Sequence, residues 1–448
     1  MNKLPLISSL KLVTKENIDG KKISLNNLFF EAMTAFPKLL VIPSWYPSPE
    51  DALRGCFFRE QALLAIQDFD TRVWVMRKQP DTPACSGTTR FKGLRRFWEK
   101  SMNLQPCEKM QQSNFKGLTE IVSFSNAWGF TRGRKLKARL AAHVQRIEAM
   151  GRAGWLPDLV HAQSVDLGGL LAHELKKKFG IPYVITEHMP FALQNFPPHL
   201  RQSVREAFEN ADMVLSVSSD KVRQLGLSEI ACDLNLTYNL VDEILFPEVC
   251  KSYAPGGLLR LVTIGAASFL KDYPTLLRSL QLIKQMEIEF RLTIIGWEAW
   301  GDQGEEIKAL VQQLGLSEHT QLIGKVSRAE VNAKLVENQI YLQTSIAEGL
   351  PVSVLEAMAS GLYVVATRHG GTEDIIQSAE VGQVVAVKDI HAIAQTLNRL
   401  HRGEIHHNPA LSRQTVLGIC GRKAFSQRLF GYYWQVLAQT PTSPTLKA

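Results

Sequence analysis

The sequence contains few cysteines, and they lie far apart. Its 448 residues include six cysteines, which form no C-x-x-C pair and show no spacing typical of a Cys/His zinc site. This excludes a disulfide scaffold and favours a reducing compartment. There is no run of about 18 apolar residues, so we expect no membrane-spanning helix. The first 22 residues lack the apolar core of a signal peptide, and we therefore expect a cytoplasmic protein.

Two signatures of other enzyme classes are also missing. No G-x-G-x-x-G motif opens a helix, and IIGWEAWG (294–301) does not supply one, which argues against a dinucleotide-dependent oxidoreductase. The single D-x-D motif, Asp68-Phe69-Asp70, precedes a predicted strand instead of following one. We therefore expect no metal–diphosphate site at this motif.

The composition is that of a globular protein with more than one core. Hydrophobic residues make up 45% of the chain and charged residues 21%, which excludes disordered, collagen-like and coiled-coil classes. The length allows two or three domains.

The net charge of +8 is concentrated in one segment. Between Arg72 and Arg152 there are 17 Lys and Arg residues but only five acidic residues, and Trp98 and Trp128 lie among them. Basic residues with interleaved aromatics are typical of proteins that bind an anionic membrane surface. This predicts peripheral attachment to the inner face of the plasma membrane. The alternative is a solvated face with ordinary core aromatics.

Apolar strands alternate with amphipathic helices in two stretches of the chain, which is typical of parallel sheets with helices on both faces. The first strand is LLVIP (39–43), and prolines and glycines between 242 and 258 indicate a linker. The sequence therefore predicts four parts: an extension at 1–36 that is poorly ordered, Rossmann-like domains at 37–250 and 258–415, and a helix at 421–438 that packs back on the first domain.

The loop after the predicted strand 340–344 offers the richest chemistry. Gly349 permits a close backbone approach, and Pro351 fits the first position of a helix predicted over 351–360. The N–H groups of the first turn form an anion site suited to phosphate. Glu356 is placed to accept two hydrogen bonds from a ribose diol. The competing interpretation is that Glu348 and Glu356 only cap or solvate the helix.

The ordered set of motifs resembles glycosyltransferase family 4. Glu348 and Glu356 have the spacing of its E-x7-E signature, and GGTE (370–373) is similar to its Gly-Gly-x-x-Glu turn. VIPSWYPSPEDALRGCFFREQ (41–61) is similar to its first strand and acceptor-side loop. The resemblance extends over most of 38–438. It implies an α/β protein of the GT-B fold, in which two Rossmann-like, doubly wound domains face a central cleft, with the acceptor on the first domain and the nucleotide sugar on the second.

The resemblance also implies roles for residues of the second domain. Glu356 would hold the nucleotide ribose. Glu348 would face the donor sugar and diphosphate together with the amides near Gly349 and Leu350. Lys271 would neutralise the leaving diphosphate.

Three further residues match the family, and two positions depart from it. Gly265 and Gly55 would belong to the donor site, where Gly55 lets the first loop approach the phosphates. His188 would line the cleft near the transferred sugar. Ala266 stands where many members carry Arg after the glycine, and His161-Ala162-Gln163 replaces a frequent His-x-His.

The function implied is a retaining hexosyltransferase that needs neither a metal nor a cofactor. A helix dipole and Lys271 would stabilise the charge of the leaving diphosphate, and the leaving phosphate would accept the acceptor's proton. The expected partners are a UDP- or GDP-sugar and a glycan or lipid-linked acceptor of polysaccharide or lipopolysaccharide biosynthesis. The alternative is a GT-B-shaped nucleotide-sugar epimerase. No nucleic acid partner is expected, because no base-stacking or groove-reading module is present.

Overall fold

The computed structural model describes residues 36–78, 110–125, 132–228, 230–247, 253–298 and 303–440. Within these ranges the chain forms two α/β domains, each built on its own sheet. The predicted extension, apart from Phe36, lies outside the described residues. The prediction of two doubly wound domains is confirmed.

The N-terminal sheet has eight strands in the order β3-β4-β2-β1-β5-β6-β7-β8. Neighbouring strands are parallel except β3 and β4. The strands are β1 (Lys38–Pro43), β2 (Asp70–Lys78), β3 (Met110–Phe115), β4 (Leu118–Ser125), β5 (Leu159–Gln163), β6 (Tyr183–Glu187), β7 (Met213–Ser216) and β8 (Leu234–Leu236). The helices are α1 (Cys56–Ala65), α2 (Arg132–Arg152), α3 (Leu170–Phe179), α4 (Pro198–Glu209) and α5 (Ser219–Gly226).

The C-terminal sheet has six parallel strands in the order β11-β10-β9-β12-β13-β14. The strands are β9 (Leu259–Ile264), β10 (Phe290–Ile295), β11 (Thr320–Ile323), β12 (Ile340–Gln343), β13 (Tyr363–Thr367) and β14 (Gly382–Val385). The helices are α6 (Tyr273–Gln285), α7 (Gly304–Gln313), α8 (Arg328–Val336), α9 (Val352–Ala359), α10 (Ile390–His401), α11 (Pro409–Cys420) and α12 (Arg422–Gln439).

Alternate residues of the buried strands pack into separate hydrophobic cores on the two faces of each sheet. In β1, Leu40 and Ile42 belong to one cluster, and Leu39 and Val41 belong to another. Continuous apolar runs such as LLVIP are therefore required by burial on both faces.

The predicted helix over 351–360 begins one residue later, at Val352. Pro351 is the N-cap, with φ −65° and ψ 118°, and not the first helical residue. Because the ψ angle of Pro351 is extended, helical backbone geometry begins only at Val352.

A hairpin formed by β3 and β4 was not predicted from the strand–helix pattern. Its turn residues Lys116 and Gly117 both have positive φ, 51° and 90°, as a type I′ turn requires. All six residues of β3 are exposed. Because β3 (MQQSNF) has no apolar alternation, its sequence does not resemble a strand.

The chain passes between the two domains twice, side by side. Helix α12 packs on the N-terminal domain, where Phe425 and Tyr433 join a core that contains Phe58. The Val241 amide donates to the Cys420 carbonyl at 2.9 Å, and Val241 pairs with Gly421 in a parallel bridge.

No helix within the described ranges has the length and apolar character needed to cross a membrane. Several basic residues of the segment 72–152 are used inside the N-terminal domain. The Arg72 guanidinium lies 4.2 Å from the Trp155 ring centroid, and Arg146 donates to the Ser123 hydroxyl. Trp98 and Trp128 lie outside the described residues, and binding to an anionic membrane stays a prediction.

Candidate functional site

The candidate site lies where the carboxyl ends of the two sheets face each other, the usual ligand position in open α/β sheets. His188 follows β6 of the N-terminal domain, and Gly349 follows β12 of the C-terminal domain. A Cβ atom built on Gly349 would lie 1.9 Å from the His188 carbonyl oxygen. The two backbones therefore touch across the cleft, and only glycine fits at position 349.

Lys271 and Glu348 form an ion pair at this site. Lys271 ends the 3-10 turn after β9, and its Nζ lies 2.7 Å from Glu348 Oε1. Glu348 also accepts a hydrogen bond from the Ser345 hydroxyl at 2.9 Å. Burial raises the pKa of Glu348, but the charge and hydrogen bond of Lys271 outweigh it and hold the pKa below its usual value. The lowered pKa favours the ionised form of Glu348.

Gly265 makes room for this lysine. A Cβ atom at Gly265, whose φ is 156°, would lie 2.8 Å from Lys271 Cε. The Tyr273 hydroxyl donates to the Gly265 carbonyl at 2.7 Å and fixes the strand end. Gly265 thus allows the stem of Lys271 to cross the end of β9 toward Glu348.

Glu356 is also ion-paired, but inside the protein. The carboxylate lies in α9 and is 3% exposed, and its Oε1 accepts a hydrogen bond from Arg328 Nη1. Burial raises the pKa of Glu356, and Arg328 offsets only part of that effect. Sequence reasoning missed Arg328, which is the first residue of α8.

Arg328 connects the two domains. Its Nη2 donates to Oε2 of Glu60 at 3.1 Å, and Glu60 lies on α1 of the N-terminal domain. The guanidinium also lies 5.0 Å from the Phe246 ring centroid. Burial is the main reason why the pKa of Glu60 rises to about 7. Arg328 therefore links Glu356 to Glu60 of the N-terminal domain.

The loop that leads into α9 is held from the N-terminal domain. Leu350 is buried, and its carbonyl accepts a hydrogen bond from Asn239 Nδ2 at 2.7 Å. No described side chain caps α9 at Pro351. The first N–H groups of α9 are therefore available to an anionic ligand. Sequence reasoning also missed Asn239.

His188 is held through both ring nitrogens. Its Nε2 lies 2.6 Å from Gln163 Oε1, and its Nδ1 lies 3.2 Å from Asn239 Oδ1. Burial lowers the pKa of His188 to about 3. The neutral ring carries one N–H and donates to one of these two oxygens. To reach a sugar hydroxyl, the ring must give up one of these contacts, so its expected role stays a prediction.

Gly55 shapes the first loop. It is the N-cap of α1 with φ 71°, and a Cβ atom there would lie 2.8 Å from both Cδ1 and the carbonyl oxygen of Trp45. From this turn, α1 carries Glu60 toward Arg328. The observed constraint on Gly55 is its packing against Trp45, and its contact with phosphates stays a prediction.

The D-x-D motif has a structural use. Asp70 Oδ2 accepts a hydrogen bond from Trp155 Nε1 at 2.7 Å. Among the described residues, no three His, Cys, Asp or Glu side chains are grouped so that they could hold a metal ion. The metal requirement of the reaction stays a prediction.

Two facing Rossmann-like domains with a site between them define the GT-B class, and solved structures share this architecture. Sucrose-phosphate synthase from Thermosynechococcus elongatus aligns with a TM-score of 0.68 at 17% identity, covering 90% of this chain and 99% of that chain. The lipopolysaccharide outer core galactosyltransferase WaaB gives 0.63 at 19%, covering 88% and 99%. Anabaena HepE in complex with UDP and glucose gives 0.64 at 15%, covering 88% and 99%. At these identities the likeness shows the fold.

Two family models match the sequence. Glycosyltransferase Family 4 matches residues 115–243, and Glycosyl transferases group 1 matches residues 251–414. Together they cover more than half of the chain. The chain belongs to glycosyltransferase family 4, and the resemblance found in the sequence is confirmed.

Relatives of known name match over part of their length. WcaL of Escherichia coli K12, assigned as a colanic acid biosynthesis glycosyltransferase, is 27% identical over 44% of this chain and 50% of its own length. The amylovoran biosynthesis glycosyltransferase AmsK of Erwinia amylovora is 30% identical over 33% of this chain and 37% of its own length. The matched region thus spans half or less of these two relatives.

Proposed function

We propose that the protein transfers a hexosyl residue from a UDP- or GDP-sugar to a glycan or lipid-linked acceptor in the biosynthesis of a surface polysaccharide or lipopolysaccharide. Family membership supports the class of reaction. The names of WcaL, AmsK and WaaB support the kind of product, and the complex of HepE with UDP and glucose supports the kind of donor.

The observation that carries this proposal is the Lys271–Glu348 ion pair beside the uncapped start of α9. Lysine and helix N-terminal amides stabilise the charge that develops on a leaving diphosphate. In the retaining reaction the C1–O bond to the diphosphate breaks, and the acceptor oxygen bonds to C1 from the same face. The acceptor's proton passes to the leaving phosphate oxygen, so the step requires neither a metal nor a separate base.

Glu356 is assigned to the nucleotide ribose. Arg328 contacts Oε1 of this carboxylate, and we assign Oε2 to a ribose hydroxyl. Arg328 offsets part of the effect of burial on the pKa of Glu356, which favours the ionised carboxylate, and an ionised carboxylate accepts stronger hydrogen bonds than a neutral one.

A panel of UDP- and GDP-sugars tests the proposal. We expect one donor to raise the thermal unfolding midpoint and to be hydrolysed slowly to the nucleoside diphosphate and free sugar. Transfer to an acceptor extract should speed nucleotide release. An epimerase would instead interconvert nucleotide sugars without releasing nucleotide. Stabilisation by no member of the panel contradicts the donor assignment.

Membrane association is tested separately. We propose that residues 72–152 attach the protein to an anionic bilayer, because each basic residue near such a surface contributes about 1 kcal/mol, screened by salt. Flotation with phosphatidylglycerol vesicles should show binding at low salt that is lost at high salt. Equal binding to phosphatidylcholine vesicles, or binding to neither, contradicts this idea.

A further inference from the structure

His369 is a buried histidine whose two ring nitrogens have no hydrogen-bond partner among the described residues. It lies just beyond β13 and is 5% exposed. Burial is the main reason why its pKa falls to about 4, and the nearby charge of Glu348 opposes that effect. The ring is therefore neutral at pH 7 and offers one N–H donor and one acceptor nitrogen.

The surroundings of His369 come from both domains. Lys271 and Lys221 both lie close enough for their charges to lower its pKa further. Lys221, on α5 of the N-terminal domain, is 1% exposed, and its Nζ lies 3.0 Å from Asp220 Oδ2. A Cβ atom on Gly370 would lie 2.1 Å from the same Asp220 oxygen. The loop of His369 therefore packs directly on α5, beside the Lys271–Glu348 pair.

A buried polar group without a partner is unfavourable and calls for an explanation. Sugar hydroxyls would supply one, because a hydroxyl can either accept from the ring N–H or donate to the other nitrogen. A diphosphate oxygen can only accept, and the lysines of this cluster already suit it. Sugar hydroxyls can therefore pair with either ring nitrogen of His369, whereas a diphosphate oxygen can pair only with the N–H.

We propose that His369 hydrogen-bonds a hydroxyl of the transferred sugar and sets the choice of donor sugar. This inference rests on the proposed function. A site built to pair with a hydroxyl rejects donors that lack it or present it in another orientation, because the buried group is then left without a partner.

The test compares His369→Leu with His407→Leu. His407 is a matched control because it also is 5% exposed with two unpartnered ring nitrogens, but it packs on Tyr363, 5.6 Å between ring centroids. Calorimetric titrations use UDP, GDP, UDP-glucose, UDP-galactose and GDP-mannose. We expect His369→Leu to keep the Kd for the nucleoside diphosphate within about twofold and to weaken the preferred nucleotide sugar at least tenfold. The differences in Kd among the three nucleotide sugars should become smaller. His407→Leu should change neither the Kd for the nucleoside diphosphate nor the Kd for the preferred nucleotide sugar.

Equal weakening of nucleotide and nucleotide sugar, or no change in either, overturns the inference. If His369→Leu does not fold, His369→Asn keeps both polar functions on a shorter side chain and should alter the sugar preference with the same Kd for the nucleotide; an unaltered preference overturns the inference. If the wild-type protein binds none of these ligands, the proposed function is wrong, and the inference falls with it.

Discussion

Glu348 and Glu356 are eight residues apart in one segment of chain, yet their surroundings differ in every respect that matters for chemistry. The side chain of Glu348 is 22% exposed and pairs with a lysine of its own domain. That of Glu356 is 3% exposed and pairs with an arginine that also holds the opposite domain. The pKa of Glu348 is lowered, whereas burial raises that of Glu356.

The difference shows that the spacing of two acidic residues does not fix what each of them does. Glu348 pairs with a partly exposed lysine in the cleft, where we expect charge changes during a reaction to matter most. Glu356 is the buried member of a triad with the partly exposed Arg328 and Glu60, and these ion pairs hold its position before a ligand arrives. We therefore expect losses at the Glu348 pair to affect turnover, and losses at the Glu356 triad to affect binding and stability.

The largest effect is expected from removing the partner of Glu348. Lys271→Ala should lower kcat for donor hydrolysis about 100-fold or more at saturating donor, on the scale of a lost charge-stabilising donor. Ala266→Arg should restore part of the activity in that background. Lys284→Ala, which removes a lysine that bonds only the Gly315 carbonyl, is the matched control. A Lys271→Ala enzyme within threefold of wild type shows that the diphosphate is held elsewhere.

A smaller effect is expected at the other carboxylate. Glu356→Gln should weaken UDP or GDP binding by about 10- to 150-fold, because a hydrogen bond to a charged group contributes about 1.5–3 kcal/mol. Glu348→Gln should lower kcat more than it raises the donor KM. Calorimetry with the nucleotide alone and steady-state hydrolysis separate the two. If both variants shift the same parameter, the contrast between the carboxylates is wrong.

Sequence reasoning found the parts of the site that are close together along the chain. Glu348, Gly349 and Glu356 lie in one strand–loop–helix unit, where spacing alone determines which residues share the loop and the first turns. Arg328 and Asn239 reach the same unit from other elements, through contacts of 28 and 111 residues in sequence separation. No local sequence pattern reveals contacts between residues so far apart. Arg328 and Asn239 could therefore not be recognised as parts of the site from the sequence.

The fold shows the same limit. Buried strands are recognisable in the sequence as apolar runs, and that pattern was sufficient to predict both domains. The β3–β4 hairpin has an exposed polar strand, and only its Lys116-Gly117 turn carries a signal. Pro351 was placed one position too far into α9, because proline suits both the N-cap seen here and the first helical residue.

The smallest effect concerns pH. The pKa of Glu60 is about 7 in the folded protein and about 4.3 when unfolded. Between these values the folded state holds a proton that the unfolded state has lost, so stability falls as pH rises, by at most about 1.4 kcal/mol per pH unit from this group. Glu60→Gln should flatten the decline of the thermal midpoint between pH 5 and 7. The surface variant Glu337→Gln should leave this decline unchanged. If the thermal midpoint falls with pH at the same slope in wild type, Glu60→Gln and Glu337→Gln, the raised pKa of Glu60 is not the cause.

The paired crossing at Val241 and Gly421 has a mechanical consequence. A single connecting segment would allow one domain to rotate about it relative to the other domain. Two adjacent segments that are bonded to each other restrict that rotation. The close approach of Gly349 to the His188 carbonyl therefore depends on a relative position of the domains that both connections constrain.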